Sequence, residues 1–184
     1  MNMKKLSKYI IFFLITFLLQ AGARQQIDPV ANAVMHNDKG IKFMQEGFYY
    51  PAINEFRIAI ALNHNSAASA AFYNNIGLAY IKIHKYDWAI NTFDKAIKLN
   101  PIFLEYYKNL AKAYKYKKAL PKQVNKYVSI IKKDQENSRA WLMLGLMYVE
   151  MKYNYEAKYC FRKFKELEPE NILIPSLDQI SEGL

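Results

Sequence analysis

Residues 73–101 read YNNIGLAYIKIHKYDWAINTFDKAIKLNP, and the spacing within this stretch decides the fold. Ile76, Gly77 and Tyr80 share one face of a helix, and Ala89, Phe93 and Ala96 share one face of a second. Gly77 and Ala89 are small, so two such helices can approach closely. Tyr73, Tyr80 and Phe93 fill the space around that contact. Pro101 closes the unit because proline cannot continue a helix.

The constellation recurs. Its small residue appears as Gly40, Gly77, Ala111 and Gly145, at steps of 37, 34 and 34 residues, and the aromatic of the second helix as Phe56, Phe93, Tyr127 and Phe161 with the same steps. The aromatic after the small residue is Phe43, Tyr80, Tyr114 and Tyr148. The first aromatic is Tyr73, Tyr107 and Trp141, with His36 in the first unit. Phased in this way the chain resembles the tetratricopeptide repeat (TPR) family, whose 34-residue helix–turn–helix unit carries W-x2-L-G-x2-Y…A-x3-F…P. Tyr73 stands for the Trp and Ile76 for the Leu. The resemblance implies an all-α, right-handed solenoid of four repeats at 33–66, 70–103, 104–137 and 138–171, with three extra residues within 65–69. A lead-in at 24–32 and a capping segment at 172–184 flank it. Ile174, Leu177 and Ile180 give that cap a helical spacing starting near Pro175 or Ser176.

The departures from the pattern are informative. In the first repeat, His36 and Lys39 replace apolar residues, as suits the outer face of a terminal unit with no neighbour. Asp28 followed by Pro29 marks a helix start, and 66–69 reads as an N-terminal extension of the second repeat. In the third repeat, Gln123 and Ile130 stand where alanines stand in the second, and larger side chains there should push the two helices apart. Pro121 fits the first turn of that repeat's second helix.

Residues 1–23 have the form of a secretory signal peptide. Lys4, Lys5 and Lys8 precede an apolar run of 11 residues at 9–19, and Ala21, Gly22 and Ala23 offer a small-residue cleavage site. The run is short for a spanning helix, which needs about 20 residues. Export, to the periplasm of a bacterium, is the expectation, with an uncleaved membrane anchor as the alternative. The lone Cys160 can form no internal disulfide and shows no metal-ligand spacing.

No catalytic, cofactor or metal motif emerges: His36, His64 and His84 are scattered, and neither a phosphate-binding glycine loop nor G-x-S-x-G is present. Cys160 is expected to be part-exposed and inert, because Glu55, Thr92 and Lys126 occupy the equivalent sites. The formal net charge is +10, and the third repeat concentrates it with nine lysines against Glu105, Asp134 and Glu136.

The family resemblance also implies where a partner would bind. The groove of such proteins is lined by the first helix of each repeat, at positions 2, 5, 9 and 12. Those positions hold Val34, Asn37, Ile41 and Met44, then Ala71, Asn74, Leu78 and Ile81. In the later repeats they hold Glu105, Lys108, Lys112 and Lys115, then Arg139, Leu142, Leu146 and Val149. The clamp by which some TPR domains take chaperone C-terminal carboxylates is not matched: its places hold Asn37, Ile41, Asn75, Glu105 and Asn109, and only Asn75 fits. The expectation is a non-enzymatic adaptor of the cell envelope. Its partner would be another protein, with an acidic or extended segment in the groove held by Asn37, Asn74, Leu78, Ile81, Lys108, Lys112, Lys115, Arg139, Leu142 and Leu146. The alternative is peripheral association with anionic lipid or wall polymer through the basic third repeat. Nucleic acid is not expected, and no cofactor is implied.

Overall fold

The computed structural model describes residues 28–64 and 66–184, and these form nine helices and no strand. They are α1 (Pro29–Gln45), α2 (Tyr49–Leu62), α3 (Ala67–Lys82), α4 (Tyr86–Leu99), α5 (Leu104–Tyr116), α6 (Leu120–Lys133), α7 (Ser138–Met151), α8 (Asn154–Leu167) and α9 (Ile174–Glu182). Consecutive helices pair, and the pairs stack along the chain. The expected signal peptide at 1–23 lies outside the described residues.

Helix starts follow local chemistry. Asp28 caps α1, its carboxylate accepting the Val30 N–H at 2.9 Å, with Pro29 in the first turn. Ser66 and Ser69 form a reciprocal capping box at the start of α3, so 67–69 do extend the second repeat's first helix. Pro121 sits in the first turn of α6. The first helices of the third and fourth repeats begin with the repeat frame, at Leu104 and Ser138, whereas α1 takes in 29–32 of the lead-in and α9 begins at Ile174.

All four turns within repeats are built alike. Gly47, His84, Lys118 and Lys152 occupy equivalent places and all adopt positive φ, at 84°, 57°, 58° and 63°. The next N–H then reaches back five residues: Phe48 to Phe43, Lys85 to Tyr80, Ala119 to Tyr114 and Tyr153 to Tyr148, at 2.8–2.9 Å. This left-handed closure satisfies the last carbonyls of each first helix. Only Gly47 adopts it without a steric cost.

Within a repeat, the aromatic of the second helix lies directly on the small residue of the first. A Cβ added to Gly40 or to Gly145 would come within 2.5 Å of the Phe56 or Phe161 ring, and one at Gly77 would meet the Phe93 ring. The third repeat has Ala111 and Tyr127 there, with Gln123 and Ile130 in place of small residues, and α6 stands off from α5. The expected loosening is therefore present. Gln123 Oε1 is buried in this repeat without a hydrogen-bond partner among the described residues. With α6 withdrawn, α7 packs against α5 as well as against α6 and α8. Ala140, Leu142, Met143, Leu144, Leu146 and Met147 on α7 are all buried, as befits a helix apolar on every side.

Candidate functional site

The first helices α1, α3, α5 and α7 carry the residues expected to line the groove, and their fates differ. Val34 and Ile41 on α1 are exposed, while Met44, Leu78 and Ile81 are partly buried. Together they leave an apolar surface on the first two repeats. Asn37 and Asn74 are structural instead. Asn75 Nδ2 donates to Asn37 Oδ1 at 2.9 Å, and one repeat later Asn109 Nδ2 donates to Asn74 Oδ1 at 2.9 Å. Asn74 and Asn109 are buried. These amides form a ladder that ties α1 to α3 and α3 to α5, where an unmade hydrogen bond would be costly. The sequence pattern showed the amides but not their pairing, which depends on the register between repeats.

Two further expected groove residues do not face a groove. Leu142 and Leu146 are 1% and 3% exposed, so they belong to the core. The reason is the close packing of α7 on α5, tighter than that of α3 on α1 or of α5 on α3. Arg139 is exposed. It lies close enough to Tyr107 and Tyr127 to oppose part of the upward pKa shift that burial imposes on both phenols, which for Tyr127 reaches about 12.

The lysines of α5 remain on the surface. Lys108 pairs with Glu105 at 2.7 Å, one turn away on the same helix, and Lys115 pairs with Glu150 of α7 at 3.0 Å. Lys112, between them, has no acid within ion-pair distance among the described residues. The stripe is therefore partly compensated, by one acid on its own helix and one from the next repeat.

Elsewhere the polar residues close off the fold. Glu55 of α2 is 9% exposed and takes Lys39 and His36 of α1, each at 2.6 Å. Those hydrogen bonds, Lys39 first and His36 second, hold its carboxyl below the usual range. His36 and Lys39 thus serve an internal acid rather than simply making an outer face polar. Cys160 is 2% exposed, not part-exposed as expected, and burial, with Glu156 nearby, pushes its thiol up to about 12. A thiol in that state is a poor nucleophile. Among the described residues, no group of three or more His, Cys, Asp or Glu side chains could hold a metal ion.

Residues 70–103 and residues 138–171 each match a family model described as tetratricopeptide repeat. No curated protein sequence matches the chain. Among solved structures it is similar to MamA, at 26% identity over 84% of this chain and 85% of that one, with a TM-score of 0.49. It is also similar to the second TPR domain of the human RPAP3 protein, solved in complex with the HSP70 peptide SGPTIEEVD, at 24% identity over 65% and 97% of the two chains and a TM-score of 0.49. A tetratricopeptide repeat protein from Parabacteroides merdae ATCC 43184 shares 18% identity, with 83% of this chain and 59% of that one covered and a TM-score of 0.50. Helix pairs of one design recur along the chain, and its second and fourth pairs match tetratricopeptide repeat models.

Proposed function

We propose that this protein is a non-catalytic interaction scaffold that holds an extended, acidic segment of another protein across α5, on the side lined by the first helices. The observation that carries the reading is the state of the α5 lysines. Lys112 has no acid partner among the described residues, and the Lys108–Glu105 pair is solvent-exposed, whereas Lys115 is held by the mostly buried Glu150. An exposed pair contributes only about 0–1 kcal/mol, so a partner's carboxylates can take Lys112 and replace Glu105 on Lys108 at little cost. Leu78 and Ile81 on α3, and Val34 and Ile41 on α1, supply apolar contacts alongside. The amide ladder fixes the spacing of α1, α3 and α5, so the surface is preorganised before a partner arrives.

The place of action in this reading is the cell envelope, after export and removal of residues 1–23. Intact mass of the protein from its host tests that part: a chain starting at Arg24 supports it, and one retaining 1–23 makes the protein an anchored scaffold. Capture from envelope extract tests the groove. The wild type should retain a partner that salt releases, since exposed charges are screened over about 8–10 Å at moderate ionic strength. The Lys108→Glu, Lys112→Glu, Lys115→Glu variant should lose that partner with its helical signal and melting point nearly unchanged. The same partners bound with the same salt response would overturn the reading.

A further inference from the structure

The two edges of the solenoid differ in chemistry. One edge is made by the turns inside the repeats, at 46–48, 83–85, 117–119 and 152–153; the other by the connections after each second helix, at 63–64 with 66, 100–103, 134–137 and 168–173. On the first edge and the helix ends beside it, Phe48, Tyr50, Trp88, Tyr116, Tyr153 and Tyr155 are all about half exposed or more, Tyr155 to 82%. The Tyr86 and Tyr116 rings stack with centroids 6.0 Å apart, which carries the aromatic band from the second repeat to the third. Lys85, Lys117, Lys118, Lys122 and Lys152 are exposed among these rings. The exposed acids there are Glu46, Asp87, Glu156 and, at the end of α9 beside Tyr155, Glu182, and Asp87 is paired with Lys117. The opposite edge, with the helix ends beside it, exposes Asp134, Glu136, Glu168 and Glu170 against Lys98, Lys132, Lys133 and Arg139, and its large exposed apolar residues are Ile102, Phe103 and Ile172, with no tyrosine or tryptophan among them.

Tyrosine and tryptophan have an apolar body and a polar tip, and a row of them in water is a surface that awaits an interface. Protein–protein contacts also enrich aromatics, but they deplete lysine. Here lysine stands beside the rings in the second, third and fourth repeats. That interleaving matches the headgroup layer of a bilayer, where Trp and Tyr concentrate and lysine is drawn to anionic lipid. No helix among the described residues is long and apolar enough to cross a membrane, so the contact would be peripheral. We propose that this aromatic, lysine-bearing edge rests on an anionic phospholipid surface. The α5 lysines are not part of the contact, so it does not depend on the reading of the groove.

Trp88 is a reporter on the edge itself, independent of anything residues 1–27 do. The full chain and Trp88→Phe are mixed with vesicles of phosphatidylcholine and phosphatidylglycerol that carry a headgroup-level quencher lipid, and with phosphatidylcholine vesicles alone. The difference in emission between the two proteins belongs to Trp88. On the anionic vesicles it should shift to the blue and be quenched, and on the neutral ones it should do so much less. The Tyr50→Ser, Tyr116→Ser, Tyr155→Ser variant should lose at least about tenfold in the vesicle concentration needed for that quenching. The Lys117→Glu, Lys118→Glu, Lys122→Glu variant should lose it on anionic vesicles. The groove triple variant of Lys108, Lys112 and Lys115 should keep it. Unquenched Trp88 on anionic vesicles would overturn the proposal, as would edge variants that bind like the wild type or groove variants that alone abolish the signal.

Discussion

Glu55 is a carboxylate at 9% exposure with two partners on the neighbouring helix, Lys39 and His36, and its lowered pKa has a defined consequence for stability. A carboxyl whose folded pKa lies below its unfolded value, about 4.5, stabilises the fold above that pH. The contribution fades as pH falls through the folded pKa. Melting curves of the wild type and Glu55→Gln should therefore differ most near neutral pH and converge in acid. A constant gap down to strongly acidic pH would show that the charge is not what stabilises the site. Asp94 behaves in the opposite sense. Burial raises its carboxyl, against the pull of Lys98 and Lys126, so the folded state disfavours its ionised form at neutral pH. Gly77 is a matter of space. Alanine gains about 1 kcal/mol of helix propensity, but its Cβ meets the Phe93 ring, which is fully buried. Overpacking of that kind costs about 1–3 kcal/mol, so Gly77→Ala should lower the melting temperature, and Phe93→Leu on top of it should recover part of the loss. A higher melting temperature for Gly77→Ala alone would mean that Phe93 can move aside.

Helices whose ends carry explicit cap chemistry were legible in the chain. Asp28 with Pro29, Ser66 and Pro121 mark starts that the structure keeps. The small-residue and aromatic pairings were legible too, because each is a property of one helix face. The left-handed closures were not, since glycine announces only the first of them, and His84, Lys118 and Lys152 are forced into the same φ by the repeat geometry. Left-handed backbone costs a non-glycine residue about 1–2 kcal/mol, partly offset by the greater unfolded-state freedom of glycine. Lys152→Gly should accordingly stabilise the chain by roughly 0.5–1 kcal/mol, read by urea denaturation. Gly47→Ala should destabilise it. Lower stability for Lys152→Gly would show that something other than backbone strain holds that turn.

For the whole molecule, what escaped the sequence is what depends on distances between repeats. Asn37 and Asn74 were expected to face a ligand and instead bond to the next helix, because Asn75 and Asn109 arrive opposite them. Leu142 and Leu146 are buried because α7 closes on α5, a displacement that begins with bulky Gln123 and Ile130 one helix earlier. The array is thus uneven: α6 touches its own partner helix least of the second helices of the four repeats, and it carries the buried oxygen of Gln123, which has no partner among the described residues. An orphaned buried polar group costs about 1–3 kcal/mol. In a chain of units stabilised by nearest neighbours, local opening follows the weakest contact. Amide hydrogen exchange should show α6 opening with at least ~1 kcal/mol less protection than α4 or α8. Restoring the small residues with Gln123→Ala and Ile130→Ala, and Ala111→Gly beneath Tyr127, should draw α6 onto α5 and bring its protection up to that of its neighbours. Equal protection of α4, α6 and α8 in the wild type would mean that the contacts of α6 with α7 make up for the open side, and the third repeat would then be no weaker than the rest.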